Sequence, residues 1–235
     1  MSNEGTREVP LAGGWVTEGV VRVGGTVRRP AGPNSRFVAE LLTHLQHVGF
    51  DAAPSFLGHD EQGRETLGFL EGDVPSDCRS TVWSDRQLTA SMRLLRRFHD
   101  HTAGSVVAGT REVVCHNDYG PWNLVWRSGL PVAIIDFDNA APGSRMDDLA
   151  YAAWKHLNLG LLELTVAEQR RRLVLLVHSY GGRPDASLLA AMRSAQARMR
   201  TSIESAPYGG RRDEALAQIT FEQNWLATYG PTLVS

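Results

Sequence analysis

The chain has 235 residues, 42% of them hydrophobic and 21% charged, with a net charge of −2. That composition excludes a disordered polypeptide, allows one large domain or two modest lobes around a cleft, and gives no reason to expect nucleic acid or a membrane as partner. The longest clean apolar stretches, such as Val132 to Ile135, are too short to cross a bilayer. The opening MSNEGTREVP does not read as a signal or transit peptide, and Cys78 and Cys115 have neither metal-ligand nor disulfide-framework spacing. A cytoplasmic protein is expected.

The first third reads as β-rich. Gly13-Gly14, before Trp15, suit a plain turn better than the opening of a phosphate-covering loop. Val20 to Val23 and Thr26 to Arg29 are β-prone runs joined by Gly24-Gly25, a hairpin signal. A helix should follow, capped by Asn34, with Phe37, Val38, Leu41, Leu42, Leu45 and Val48 as one apolar stripe. Ser55 to Leu57 and Glu65 to Leu70 predict two more strands, and Gly72 to Ser84 a connector.

The rest is mainly helical. Ser84 and Gln87 fit a capping box ahead of Leu88, Met92, Leu95 and Phe98 at helical spacing. Strand-like runs follow at Glu112 to Cys115, Leu124 to Trp126 and Pro131 to Phe137. Helices are predicted over 147–157, 165–180 (Thr165 and Glu168 forming a second capping box), 186–204 and 213–229. His99 and His101 read as surface or capping residues near a helix end, and Cys115 as a small buried hydrophobe. The outcome is an α+β, bilobal chain, with a small β-rich N-lobe over 1–72 and a larger helical C-lobe over 73–235. Ligands favour the cleft between such lobes.

The chemistry concentrates in VVCHNDYGPWNLVW (113–126) and PVAIIDFDNAAP (131–142). Asp118 and Asp136 each follow an apolar strand-like run and Asn123 precedes one, so all three stand on loops with a rigid base. Phosphoryl transfer needs such a set, because its loose transition state is served by positioning and charge neutralisation. One carboxylate orients the acceptor hydroxyl and takes its proton, which suits Asp118. Hard oxygen ligands hold Mg²⁺ against the phosphates, which suits Asn123 and Asp136. Asp138 either touches the metal or caps a turn.

The pattern H-x-D-x4-N followed by I-D-x-[DE] resembles the aminoglycoside phosphotransferase and choline kinase superfamily, with its protein-kinase-like fold. The resemblance is specific over about 113 to 151 and looser over Gly13 to Gly72. It implies ATP or GTP as donor, Asp118 as catalytic aspartate, Asn123 and Asp136 as metal ligands, and His116 as a brace of the catalytic loop. By the same resemblance Asp148, in DDLAY, fixes that loop, and Phe69-Leu70-Glu71 falls where a hinge meets adenine. The chain departs from the pattern at Asn117, where many members carry glycine. It departs again in having one lysine, Lys155, so an arginine must take the phosphate-anchoring role of the small-lobe lysine. In Thr26-Val27-Arg28-Arg29 the two candidates point to opposite faces. Arg29 is favoured, because Val27 shares its face; Glu40 is its candidate acidic partner.

The acceptor is expected to be a small hydroxyl compound. From Thr165 to Arg212 there are nine arginines against Glu168, Asp185 and Glu204, a balance unlike the acidic pocket a polycationic aminoglycoside requires. A neutral or acidic acceptor fits at least as well. Two other classes compete. A nucleotide-binding pseudokinase or regulatory module would explain the missing lysine but not the intact Asp118, Asn123 and Asp136. A glycosyl- or nucleotidyltransferase with Asp136-Phe137-Asp138 as its D-x-D would leave the Asp118/Asn123 loop unexplained.

Overall fold

A turn at Gly24-Gly25, with Gly24 at φ +58°, joins the first strong hairpin in the computed structural model, which describes residues 7–11, 19–205 and 211–235. Gly13-Gly14 lie outside the described residues. Strands β1 (Glu8–Pro10), β2 (Val21–Val23) and β3 (Thr26–Arg29) are followed by helix α1 (Ser35–His47), β4 (Phe56–His59) and β5 (Glu65–Gly68). The strands form one antiparallel sheet in the order β1-β2-β3-β5-β4. β5 stops at Gly68 rather than Leu70, because the Phe69 N–H turns to the Gly25 carbonyl and the chain leaves the sheet.

Helix α1 buries Val38, Leu41, Leu42 and Leu45 as its spacing predicts. Two details differ. Val48 lies past the last turn and is 39% exposed, so it does not extend the stripe. Asn34 precedes the helix without capping it by its side chain; its Nδ2 donates instead to the Asp138 and Ala140 carbonyls, both at 3.0 Å. An amide has two donors, and carbonyls far along the chain claim them.

The second part opens with α2 (Asp85–Thr102), where Ser84 and Gln87 form the full capping box and Leu88, Met92, Leu95 and Phe98 are fully buried. Burial of each of those four side chains contributes about 1.5–3 kcal/mol. Two short ribbons follow: β6 (Val113–Cys115) pairs with β9 (Ala141–Gly143), and β7 (Leu124–Arg127) with β8 (Leu130–Ile134). β8 ends at Ile134, not Phe137, since Asp136 turns left-handed at φ +63° and Phe137–Asn139 forms a 3-10 turn.

Helices α3 (Arg145–Leu157), α4 (Val166–Tyr180), α5 (Ala186–Ser205) and α6 (Arg212–Val234) complete the chain. Thr165 accepts the Glu168 N–H, but the Glu168 carboxylate turns to Arg171, so only half of the predicted box forms. α6 continues through Pro231 to Val234, beyond the predicted stop at Tyr229. Leu226 and Leu233 are buried, and Gly230 packs closely on Leu189, so burial outweighs the hydrogen bond that proline removes. One apolar core runs through both parts, from Leu41 and Leu42 on α1 to Trp154 on α3 and Ile219 on α6. No described helix is long and apolar enough to cross a membrane.

Candidate active site

The loop after β6 is built around a buried carboxylate. Asp148, in the first turn of α3, accepts the backbone N–H of His116 at 2.6 Å and of Asn117 at 2.8 Å. His99 Nε2 meets the same carboxylate at 3.0 Å, and His99 Nδ1 meets the Tyr180 hydroxyl at 2.6 Å. Burial alone would raise the pKa of Asp148, but the hydrogen bond and charge of His99, with His116 behind them, hold it below the usual carboxylate range. His99 is therefore a fully buried link between three helices, α2, α3 and α4, and not a surface or capping residue. The α2 stripe places it beside Phe98 and against α3, where its two ring nitrogens find partners.

His116 is fully buried, with Nε2 at 3.0 Å from the Ile135 carbonyl and Nδ1 accepting the Asp118 N–H at 3.3 Å. Accepting at Nδ1 places the proton on Nε2, so this one ring ties the Asp118 loop to the chain entering Asp136. Asn117, the departure from glycine, stands at φ +63° and donates from Nδ2 to the Asn139 carbonyl at 2.8 Å. Asparagine is among the few non-glycine residues that tolerate this backbone region.

Asp118 is held at both carboxylate oxygens. The Tyr151 hydroxyl donates to Oδ1 at 2.6 Å, and Asn123 Nδ2 donates to Oδ2 at 2.9 Å. Asn123 Nδ2 also reaches the Asp118 carbonyl at 2.9 Å, which closes the loop on itself. Across it, Asp136 makes no hydrogen bond or ion pair among the described residues. It keeps contact with solvent, but surrounding protein atoms remove much of its hydration and push its pKa up; the charge of Asp138 adds to this, against the pull of His116 and Arg29.

Arg29 faces this centre. Its Nη2 is 2.7 Å from Asp138 Oδ1 and its Nε donates to Glu65 Oε2 at 2.6 Å, while Nη1 meets no described residue. Burial would lower its pKa, but Asp138 and then Glu65 hold it raised. Arg28 points the other way, with Nε 3.7 Å from Asp60. The acid opposite Arg29 is Glu65, its register partner on β5, and not Glu40, which is exposed and pairs with Arg36 one turn earlier on α1. Phe69 lies under the Arg22 guanidinium at 3.7 Å, and Glu71 pairs with Arg22 at 2.8 Å. Among the described residues, no hydrogen bond uses the backbone N–H or C=O of Leu70 between them.

Glu65, Tyr151 and Tyr180 were not singled out from sequence, and His99 was read there as a surface or capping residue. Tyr151 lies three residues past Asp148 on α3, so the DDLAY run itself carried a signal. The other three carried none, because their partners are 36, 49 and 81 positions away. A divalent metal fits the centre: Asn123 and Asp136 offer hard oxygens, and Asp136 and Asp138 are neighbouring like charges, of which Asp138 is paired with Arg29.

Residues 13–189 match the phosphotransferase enzyme family. A trifolitoxin immunity protein of Rhizobium leguminosarum bv. trifolii is 40% identical over 178 residues, 69% of this chain and 66% of that one. The chain thus spans just under two thirds of that relative's length. Among solved structures, a choline/ethanolamine kinase family protein from Mesorhizobium loti superposes with a TM-score of 0.65 at 14% identity, covering 98% of this chain and 92% of the other. The GDP complex of aminoglycoside 2'-phosphotransferase-IIIa gives 0.59 at 13% identity, over 93% of each chain. Spectinomycin phosphotransferase in complex with ADP and spectinomycin gives 0.55 at 10% identity, over 87% and 84%. These likenesses establish the bilobal protein-kinase-like fold expected from the motifs.

Proposed function

This chain belongs to the phosphotransferase enzyme family, and from that premise we propose that it transfers the γ-phosphoryl group of a nucleoside triphosphate to a hydroxyl of a small molecule. The observation that carries the reading is the Asp118 carboxylate, fixed by Tyr151 and Asn123 beside the unpaired Asp136. With both oxygens oriented, Asp118 accepts a hydrogen bond from the acceptor O–H and takes its proton as the acceptor oxygen bonds to the γ-phosphorus. The bond from that phosphorus to the β,γ-bridging oxygen breaks, and nucleoside diphosphate leaves with the electron pair. Asn123 and Asp136, with Asp138 beside them, would hold Mg²⁺, which when bound neutralises phosphate charge.

Arg29 supplies the small-lobe cation in place of lysine. Its free Nη1 is available to an α- or β-phosphate, while Glu65 holds the guanidinium in place. The basic anchor and the intact centre together favour turnover over a pseudokinase. The backbone N–H and C=O of Leu70, which no described residue engages, offer the nucleobase a donor and an acceptor. The test is nucleotide consumption with ATP and GTP against a panel of hydroxyl acceptors, with and without Mg²⁺. Consumption that depends on acceptor and metal supports the reading; nucleotide binding with no turnover on any acceptor, or turnover that chelation leaves intact, refutes it. The 40% identity to an immunity protein favours a toxin as one member of that panel.

A further inference from the structure

The chain's one lysine lies one helical turn beyond the tyrosine that orients Asp118. Lys155 Nζ rests on the Trp154 indole at 3.5 Å from its centroid and 5.8 Å from that of Tyr151. Among the described residues, no carboxylate lies within ion-pair distance of it. The nearest acids are already engaged. Glu222 is buried and accepts Trp154 Nε1 at 2.7 Å on one oxygen and Gln218 Nε2 at 2.7 Å on the other. Asp118 is taken by Tyr151 and Asn123.

A second cation stands nearby. Arg79, from the connector, is held by the Gln218 amide oxygen at 2.8 Å, a neutral partner. Lys155 is thus a partly buried ammonium whose pKa is pushed down by burial, with Glu222 and Asp118 acting against that and Arg79 adding to it. A partly desolvated ammonium without a counter-ion is unfavourable unless a ligand brings one. Tyr151 links this lysine to the centre: its ring centroid lies 5.8 Å from Lys155 Nζ and its hydroxyl donates to Asp118, where an acceptor must present its hydroxyl. Polycations would meet Lys155 and Arg79 as like charges.

We propose that Lys155 is a specificity-determining residue that pairs with an oxyanion, a carboxylate or phosphate monoester, carried by the acceptor beside the hydroxyl served by Asp118. This rests on the phosphotransferase reading and narrows its acceptor to an anionic hydroxyl compound.

A single lysine makes the test direct. Growth on ¹³C,¹⁵N-lysine gives this 235-residue chain one labelled side chain, whose ammonium is followed by NMR. Glycerate and glycerol 3-phosphate, at millimolar concentration, are expected to shift this signal and raise its titration midpoint by about one unit, as an opposite charge does. Glycerol and glyceramide should leave it in place. A response to only one oxyanion identifies which of the two the site takes. A lysine held merely by cation–π packing would respond to none.

In turnover, Lys155→Met should raise KM for the oxyanion acceptors about 10- to 100-fold relative to glycerol in the same variant. Lys155→Arg should keep most of the preference. A signal unmoved by both oxyanions, or moved equally by the neutral compounds, overturns the proposal. If neutral or cationic acceptors are phosphorylated as well as anionic ones, this inference falls and the phosphotransferase reading stands. If oxyanions shift Lys155 but no nucleotide is ever consumed, the reverse holds.

Discussion

Replacing Arg29 by methionine removes a buried charge from two acids, and its two effects can be separated. Glu65 is 1% exposed, its Oε2 is held by Arg29 and its Oε1 has no hydrogen-bond partner among the described residues. Arg29→Met therefore strands a buried carboxylate, a change that costs about 3–5 kcal/mol of stability. Nucleotide affinity should fall as well, by about 1–3 kcal/mol for a lost charge-assisted contact to phosphate. The double variant Arg29→Met/Glu65→Met removes both charges and fills the space with apolar side chains. It should recover most of the stability in urea denaturation while nucleotide affinity, measured by calorimetry, stays lost. Arg28→Ala should change nucleotide affinity little, since Arg28 points toward Asp60. The reasoning is refuted if the single variant loses less than about 1 kcal/mol of stability, or if the double variant binds nucleotide like the wild type.

Asp118→Asn should leave nucleotide binding nearly intact and cut turnover by on the order of 10²-fold or more, as loss of a positioned base does; turnover within a few-fold of wild type removes Asp118 from that role. Asp136→Ala should abolish the Mg²⁺-dependent part of nucleotide affinity, and unchanged calorimetric affinity in Mg²⁺ counts against the assignment. The carboxyl of Asp148 is held below the usual carboxylate range, so its contribution to stability is fully present above about pH 4 and is lost as pH falls through the lowered folded value. In Asp148→Asn that acid-side loss should be missing from a stability–pH series, and turnover should fall because the His116 and Asn117 N–H groups lose their charged acceptor. An acid limb as steep as that of the wild type would show that Asp148 is not the group responsible.

The candidate centre of this chain was legible because it is local. His116, Asp118, Asn123 and Asp136 stand within 21 positions, on short loops between apolar strands, and such loops keep the order and spacing of their side chains whatever the rest does. The β2–β3 hairpin was equally legible, since a Gly-Gly turn and strand parity depend on near neighbours alone; parity also placed Arg29 and Arg28 on opposite faces. Asn117 at a left-handed position gives a backbone reason for the glycine common in the family. What failed were details in which a side chain had distant alternatives. Asn34 gave up its cap for carbonyls more than 100 positions away, and His99 went into the core instead of to a helix end.

The primary sequence by itself determined the element types, the hairpin, the α2 capping box and the cluster of acids, because propensity and short-range geometry decide these. Only the tertiary structure decided who pairs with whom. β5 crosses in beside β3, skipping β4, and so sets Glu65 opposite Arg29, where Glu40 on the predicted helix had been the candidate partner. α3 packs so that Tyr151 reaches Asp118, Asp148 takes the loop amides, and Lys155 is left near Tyr151 with no carboxylate in ion-pair distance among the described residues. The physical reason is that apolar burial drives the elements together without direction, while hydrogen bonds and ion pairs are short-ranged and directional. Their partners are settled by which surfaces meet, and no local run of residues records that.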